Sequence, residues 1–299
     1  MNTLTIILPL AIICFLGYLT VRVKLFNKVQ MDSLSAISFN FLVPIFLFKS
    51  TYQTDLNIAL SPQWFLSLYI PLVVSFIVIF AINRYGFKQK NNHSALSALA
   101  ATYSNTVLVA IPIIASILST AAAGSAFVLI AFHSAVLFTL TEVFVNNSGF
   151  KTLIKAGKNP IVLSILGGFS FNLLGINIPD LLLTPLATLS ASAIPLALFG
   201  LGASMYYLPF KGNRRIAFIN SFHKLMILPA LVYVTGHFVF DLTAEQLFVA
   251  VILTASPTGV GAYIMATKHQ AASEISASTV VLSTIFCTLG YLFWIEFLQ

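Results

Sequence analysis

Prolines and glycines recur inside the apolar runs of this sequence at a near-constant offset, which restricts the fold more than any other feature. Pro9 and Gly17 are answered 151 residues later by Pro160 and Gly168, and Pro44 is answered at the same offset by Pro195. Pro71 answers Pro229 at 158 residues and Pro112 answers Pro257 at 145. A proline inside a helix removes a hydrogen bond and crowds the preceding turn. In lipid, such breaks persist where neighbouring helices or a cavity satisfy the freed backbone groups. The same breakers in both halves point to a membrane carrier assembled from two copies of one unit.

Composition agrees with a membrane setting. The chain is 59% hydrophobic and 8% charged, against about 25% charged in soluble domains. No stretch is charged enough to form a separate soluble domain. The first run, from Leu4 to Val21, has no basic segment before it and no clear small-residue cleavage site after it, so a retained first helix is expected. Cys14 and Cys287 both lie in apolar runs and read as two buried thiols, not a disulfide.

A spanning helix needs about 20 apolar residues. Ten candidates satisfy this: 3–21, 33–52, 64–83, 94–117, 122–145, 160–177, 181–207, 216–239, 246–267 and 273–297. Basic residues sort by loop. Arg22, Lys24 and Lys28 follow the first span; Arg84, Lys88 and Lys90 follow the third; Lys151, Lys155 and Lys158 follow the fifth. Lys211, Arg214 and Arg215 follow the seventh, and Lys268 follows the ninth. Alternate loops hold Asp55, Asp180, Asp241 and Glu245 instead. The positive-inside rule then places both termini on the outer face. The net charge of +7 therefore reads as an orientation signal in a lipid bilayer, and no nucleic acid is implied.

The expected fold class is an all-α polytopic membrane protein of about ten helices, one transmembrane domain over 1–299. Five spans per half force residues 1–150 and 151–299 to be inverted repeats, with the solute site near the midplane at discontinuous helices. Two spans mix polar residues with a proline. The fourth contains Ser104, Asn105, Thr106 and Pro112; the ninth contains Ser256, Pro257, Thr258, Gly259 and Gly261. An opened turn frees backbone groups, and half-helix N-termini carry partial positive charge suited to an anion. Asn105 is the sharpest solute-binding candidate, with two donors and one acceptor; Ser104, Thr106, Ser256 and Thr258 can instead bond their own helices.

His133 and Glu142 are ionisable residues within the fifth span and are candidates for proton coupling, or alternatively a packing histidine and an interfacial glutamate. Ala193, Ala197, Gly200 and Ser204 form a small-residue stripe for close helix approach. Lys49, His223 and Lys224 are expected to snorkel from span ends. No Gly-rich phosphate loop, His-Glu-x-x-His or Gly-x-Ser-x-Gly pattern is present. An enzyme, a metal and a cofactor are therefore not expected, and transport would draw on an existing gradient.

Several motifs resemble the auxin efflux carrier family. Ser104-Asn-Thr-Val-Leu-Val-Ala-Ile-Pro112 resembles its fourth helix, and Lys158-Asn-Pro-Ile-Val-Leu-Ser-Ile-Leu-Gly-Gly168 its sixth. Ile194-Pro-Leu-Ala-Leu-Phe-Gly-Leu-Gly-Ala-Ser204 resembles the seventh, Lys224-Leu-Met-Ile-Leu-Pro229 the eighth and Ser256-Pro-Thr258 the ninth. The resemblance implies helices 4 and 9 crossing at their prolines, as in bile-acid sodium symporters and sodium/proton antiporters. It implies a secondary carrier of small organic anions, auxin or dicarboxylates such as malate and malonate, with Asn105 beside the substrate carboxylate. The short central connection is similar to the bacterial type, which implies the cytoplasmic (inner) membrane. The chain departs from the pattern at Val107 and Ala110, where glycines are frequent, and at Gly261, where Asn is common. The alternatives are a sodium-coupled symporter of the bile-acid type and a membrane solute receptor that does not transport. Coupling to H+ or Na+, and a homodimer, stay open at this point.

Overall fold

The computed structural model describes residues 3–54, 61–146, 160–210 and 212–299. The clusters at Lys151, Lys155, Lys158 and Lys211, with Asp55, lie outside these. The described residues form helices joined by short turns, with one isolated β-bridge. The first three helices are α1 (Thr3–Arg22), α2 (Lys28–Tyr52) and α3 (Pro62–Gly86). The fourth span is two helices, α4 (Asn91–Thr102) and α5 (Thr106–Ile117). Then follow α6 (Thr120–Asn146), α7 (Pro160–Leu173), α8 (Asp180–Tyr207) and α9 (Arg214–Val239). The ninth span is again divided, into α10 (Ala244–Thr254) and α11 (Val260–Lys268), before α12 (Ser273–Leu298). Among the described residues, seven helices are long and apolar enough to cross a membrane, and α5, α7 and α10 are shorter apolar helices. The chain is an all-α polytopic membrane protein.

Side-chain caps explain where helices begin. Asn27 and Gln30 form a reciprocal capping box, with bonds of 2.9 and 3.0 Å, so α2 starts before its apolar run. Thr243 and Gln246 do the same for α10. Prolines explain three of the five places where the described helices widen; the π-turns at Ile82–Gly86 and Thr235–Val239 close their helices without one. π-turns occupy Ser38–Leu42, Thr106–Ala110 and His223–Ile227, each ending two residues before Pro44, Pro112 or Pro229. A proline cannot donate an N–H and its ring excludes the carbonyl four residues earlier, so the turn opens to a wider bonding pattern. Pro71 and Pro195, which the sequence offsets pair with Pro229 and Pro44, sit in uninterrupted α-helix. An equal sequence offset does not bring equal local geometry.

The helices fall into two units. The first holds residues 1–60, 115–132 and 155–207. Its tightest contact joins α1 and α8 backbone to backbone. A Cβ on Gly17 would lie 2.0 Å from the Phe199 carbonyl oxygen, and one on Gly202 would lie 1.7 Å from that of Cys14. Only glycine permits such an approach. Ala193 and Ala197 of the small-residue stripe are fully buried, and Gly200 faces Ser35 of α2. The Asn172 amide of α7 donates to the carbonyls of Thr51, Tyr52 and Thr54 at 3.3, 2.7 and 2.8 Å, closing the C-terminus of α2.

The second unit holds residues 61–114, 133–154 and 208–299. Buried amide and indole donors tie its helices together. The Asn220 amide donates to Ser97 Oγ at 3.0 Å, Trp64 Nε1 to the Gln246 carbonyl at 3.0 Å, and Trp294 Nε1 to the Leu225 carbonyl at 2.9 Å. The last bond serves a carbonyl inside the α9 π-turn. Both divided spans meet within this unit. Cys14 and Cys287 are free thiols.

Candidate functional site: the crossing of two divided spans

Span 4 opens over Tyr103, Ser104 and Asn105, and span 9 opens from Ala255 to Gly259. The two openings pair as a minimal antiparallel bridge between Ser104 and Thr258. Asn105 N–H donates to the Pro257 carbonyl at 2.8 Å, and Gly259 N–H donates to the Tyr103 carbonyl at 3.0 Å. Each extended segment satisfies the other's backbone groups, which is why helix can be abandoned here without water. Pro257 lies in the crossing itself. Pro112 does not: it follows the π-turn of α5, seven residues beyond Asn105. The crossing of span 4 therefore differs from the proline-centred expectation.

The neighbouring helices hold the remaining backbone groups. Ser104 N–H donates to His133 Nε2 of α6 at 2.9 Å, and Thr258 N–H donates to Ser283 Oγ of α12 at 2.9 Å. His133 and Ser283 are 150 residues apart, close to the repeat offset. Carbonyls at the ends of α4 and α10 are also claimed. Thr258 Oγ1 donates to the Ala100 carbonyl at 2.8 Å, and His223 Nδ1 lies 3.4 Å from that of Ala101. The Lys224 ammonium donates to the Thr254 carbonyl. His223 and Lys224 are thus buried in the unit and not snorkelling as their position near a span end predicts; the π-turn before Pro229 aims both at the crossing.

The candidate solute ligands separate into two sets. Ser256 and Thr258 are fully buried and engaged, Ser256 Oγ accepting from Tyr291 Oη at 2.8 Å. Asn105 is half-buried, and its side chain makes no hydrogen bond among the described residues. Ser104 Oγ is buried without a partner. The Thr106 hydroxyl, buried at the start of α5, is likewise uncommitted. Tyr103 forms one wall: its ring stacks on His133 and Phe138 with centroids 5.3 and 4.9 Å away, and its hydroxyl meets Ser134 Oγ at 2.9 Å. Gly259 and Gly261 face that ring, where an added Cβ would come within 2.7 and 2.9 Å of it.

A membrane transport protein family profile matches residues 3–148 and 141–295. The chain belongs to the auxin efflux carrier family of membrane transport proteins. Among its relatives, a "Putative malonate transporter" of Rhizobium meliloti is 22% identical, over 94% of this chain and 91% of the relative. An "Uncharacterized transporter YfdV" of Escherichia coli is 22% identical, over 97% of this chain and 95% of the relative. A transporter is the activity these matches support.

In this transporter Glu142 stands apart from the crossing. It is buried, accepts from or pairs with His269 Nε2 at 3.0 Å, and lies 3.6 Å from Lys268 Nζ, so it fastens the C-terminal end of α6 to the end of α11. His133 is instead part of the crossing. Tyr103, Ser283 and Tyr291 carry no sequence mark as site residues, and Lys224 is marked only as a span-end residue. Ser283 was accessible in principle, because the repeat offset carries His133 onto its neighbourhood. The others are brought in by long-range packing.

Proposed function

We propose that this protein is a secondary transporter that carries a small carboxylate across the cytoplasmic membrane by alternating access, with the solute held at the crossing. The observation that carries this reading is the Asn105 amide, half-buried in a helix gap without a partner. An unpaired amide in a polar gap supplies donors for a carboxylate. The N-termini of α5 and α11 begin at the same crossing and add partial positive charge. The relative named as a malonate transporter supports a dicarboxylate. The basic loops support both termini on the outer face, and the breaker offsets support two inverted repeats.

Uptake of labelled malonate into proteoliposomes tests the site. Asn105→Ala is expected to abolish uptake while the detergent-solubilised protein melts as the wild type does. Wild-type uptake in that variant would sink the assignment.

One observation also favours proton coupling. Because Ser104 N–H donates to it, His133 Nε2 carries its lone pair, and a proton there would displace Ser104. Proton arrival would thus release one end of the crossing. Uptake driven by an imposed pH gradient and indifferent to sodium is expected; uptake that needs sodium would favour the bile-acid-type symporter.

A further inference from the structure

Lys224 is the most unusual charged residue of the second unit. Its side chain is fully buried, and no carboxylate pairs with it among the described residues. The buried acid of the unit, Glu142, is engaged with His269 and Lys268. A buried charge is costly unless it is paired, and a carbonyl oxygen supplies only partial compensation. The ammonium's partner is the Thr254 carbonyl, the last of α10, three residues before Pro257, whose own carbonyl takes the Asn105 N–H. This route ends beside Asn105. The π-turn of α9 directs the side chain inward, and such turns cluster at functional positions.

We infer that Lys224 is the fixed positive charge that makes the crossing select anions and grades solutes by their charge number. The inference rests on the reading that the crossing holds the solute. It differs from a purely structural role, in which Lys224 would only cap the carbonyl end of α10. A capping loss disturbs every solute alike, whereas loss of a fixed charge costs each solute in proportion to its own charge. For a separation on the order of 10 Å and an effective dielectric of about 20, the loss is roughly tenfold in affinity per unit of solute charge.

The experiment measures binding of three malonyl compounds to the purified full chain in detergent: malonate, its monoamide and its diamide. In Lys224→Met, malonate is expected to weaken about a hundredfold and the monoamide about tenfold, with the diamide unchanged. Lys224→Arg is expected to keep the wild-type gradation. Removing an unpaired buried charge in favour of an apolar side chain should leave melting unchanged or higher; if Lys224→Met does not fold, Lys224→Gln takes its place. Equal losses for all three compounds, no loss, or failure of both variants to fold would each overturn the inference while leaving the carboxylate reading intact. A wild-type protein that binds the diamide as well as malonate would overturn both.

Discussion

The two gaps that meet at the crossing satisfy each other's backbone groups and are opposite in side-chain chemistry. In span 9 the side chains are spent: Ser256 accepts from Tyr291, and Thr258 donates to Ala100. In span 4 they are unspent, with Ser104, Asn105 and Thr106 offering groups that nothing described claims. The same division holds for the helices behind them. A serine hydroxyl steadies Thr258, but an imidazole steadies Ser104, and of the two only the imidazole is a base that can take up a proton. The two divided spans thus differ in role, span 9 acting as scaffold and span 4 presenting ligands.

Three predictions would break or sharpen that contrast. The largest effect is expected at Gly259→Ala, whose Cβ would meet the Tyr103 ring at 2.7 Å. That ring is clamped by His133 and Phe138 and has little freedom to yield. Overpacking of this kind costs about 1–3 kcal/mol, so a lower melting temperature and lost malonate uptake are expected, with melting partly restored by adding Tyr103→Ala. Next come His133→Ala and Ser283→Ala, which each leave a buried N–H without its acceptor, at about 1–3 kcal/mol. Both should lower the melting temperature, His133→Ala more because it also removes the ring stacked on Tyr103, while only His133→Ala should change the pH dependence of uptake. A pH profile altered equally by both would erase the distinction between imidazole and hydroxyl. The smallest effect separates scaffold from ligand. Thr258→Val should lose about 0.5–1.5 kcal/mol of stability, whereas Thr106→Val should melt as wild type but bind malonate more weakly. The reverse pattern would mean the roles had been exchanged.

Helix positions were legible because apolar length is a local property, and the predicted spans agree with the helices to within a few residues at most ends. The gap in span 9 was legible too, since Pro257 and Gly259 cannot support a helix interior. A break in span 4 was expected at Pro112, but its true place was not legible. Nothing at Tyr103-Ser-Asn105 forbids a helix; it opens because the segment at 257–259 takes over its backbone bonds. Lys224 was misplaced for a related reason. Hydropathy locates it near a span end, but a π-turn set by Pro229 turns it inward. Glu142 and His269 meet across 127 residues of chain, a pairing that no local pattern carries.

The bridge between Ser104 and Thr258 also has a consequence for synthesis. Its partners are 154 residues apart in the chain, and ribosomes add about 5–20 residues per second. Span 4 therefore reaches the bilayer on the order of 10–30 s before the segment that completes it exists. During that interval Tyr103, Ser104 and Asn105 lack their final backbone partners in an environment that tolerates no vacancy. The nascent first half must either remain provisionally helical there or be sheltered by the insertion machinery, and the carrier acquires its crossing only after span 9 has been made.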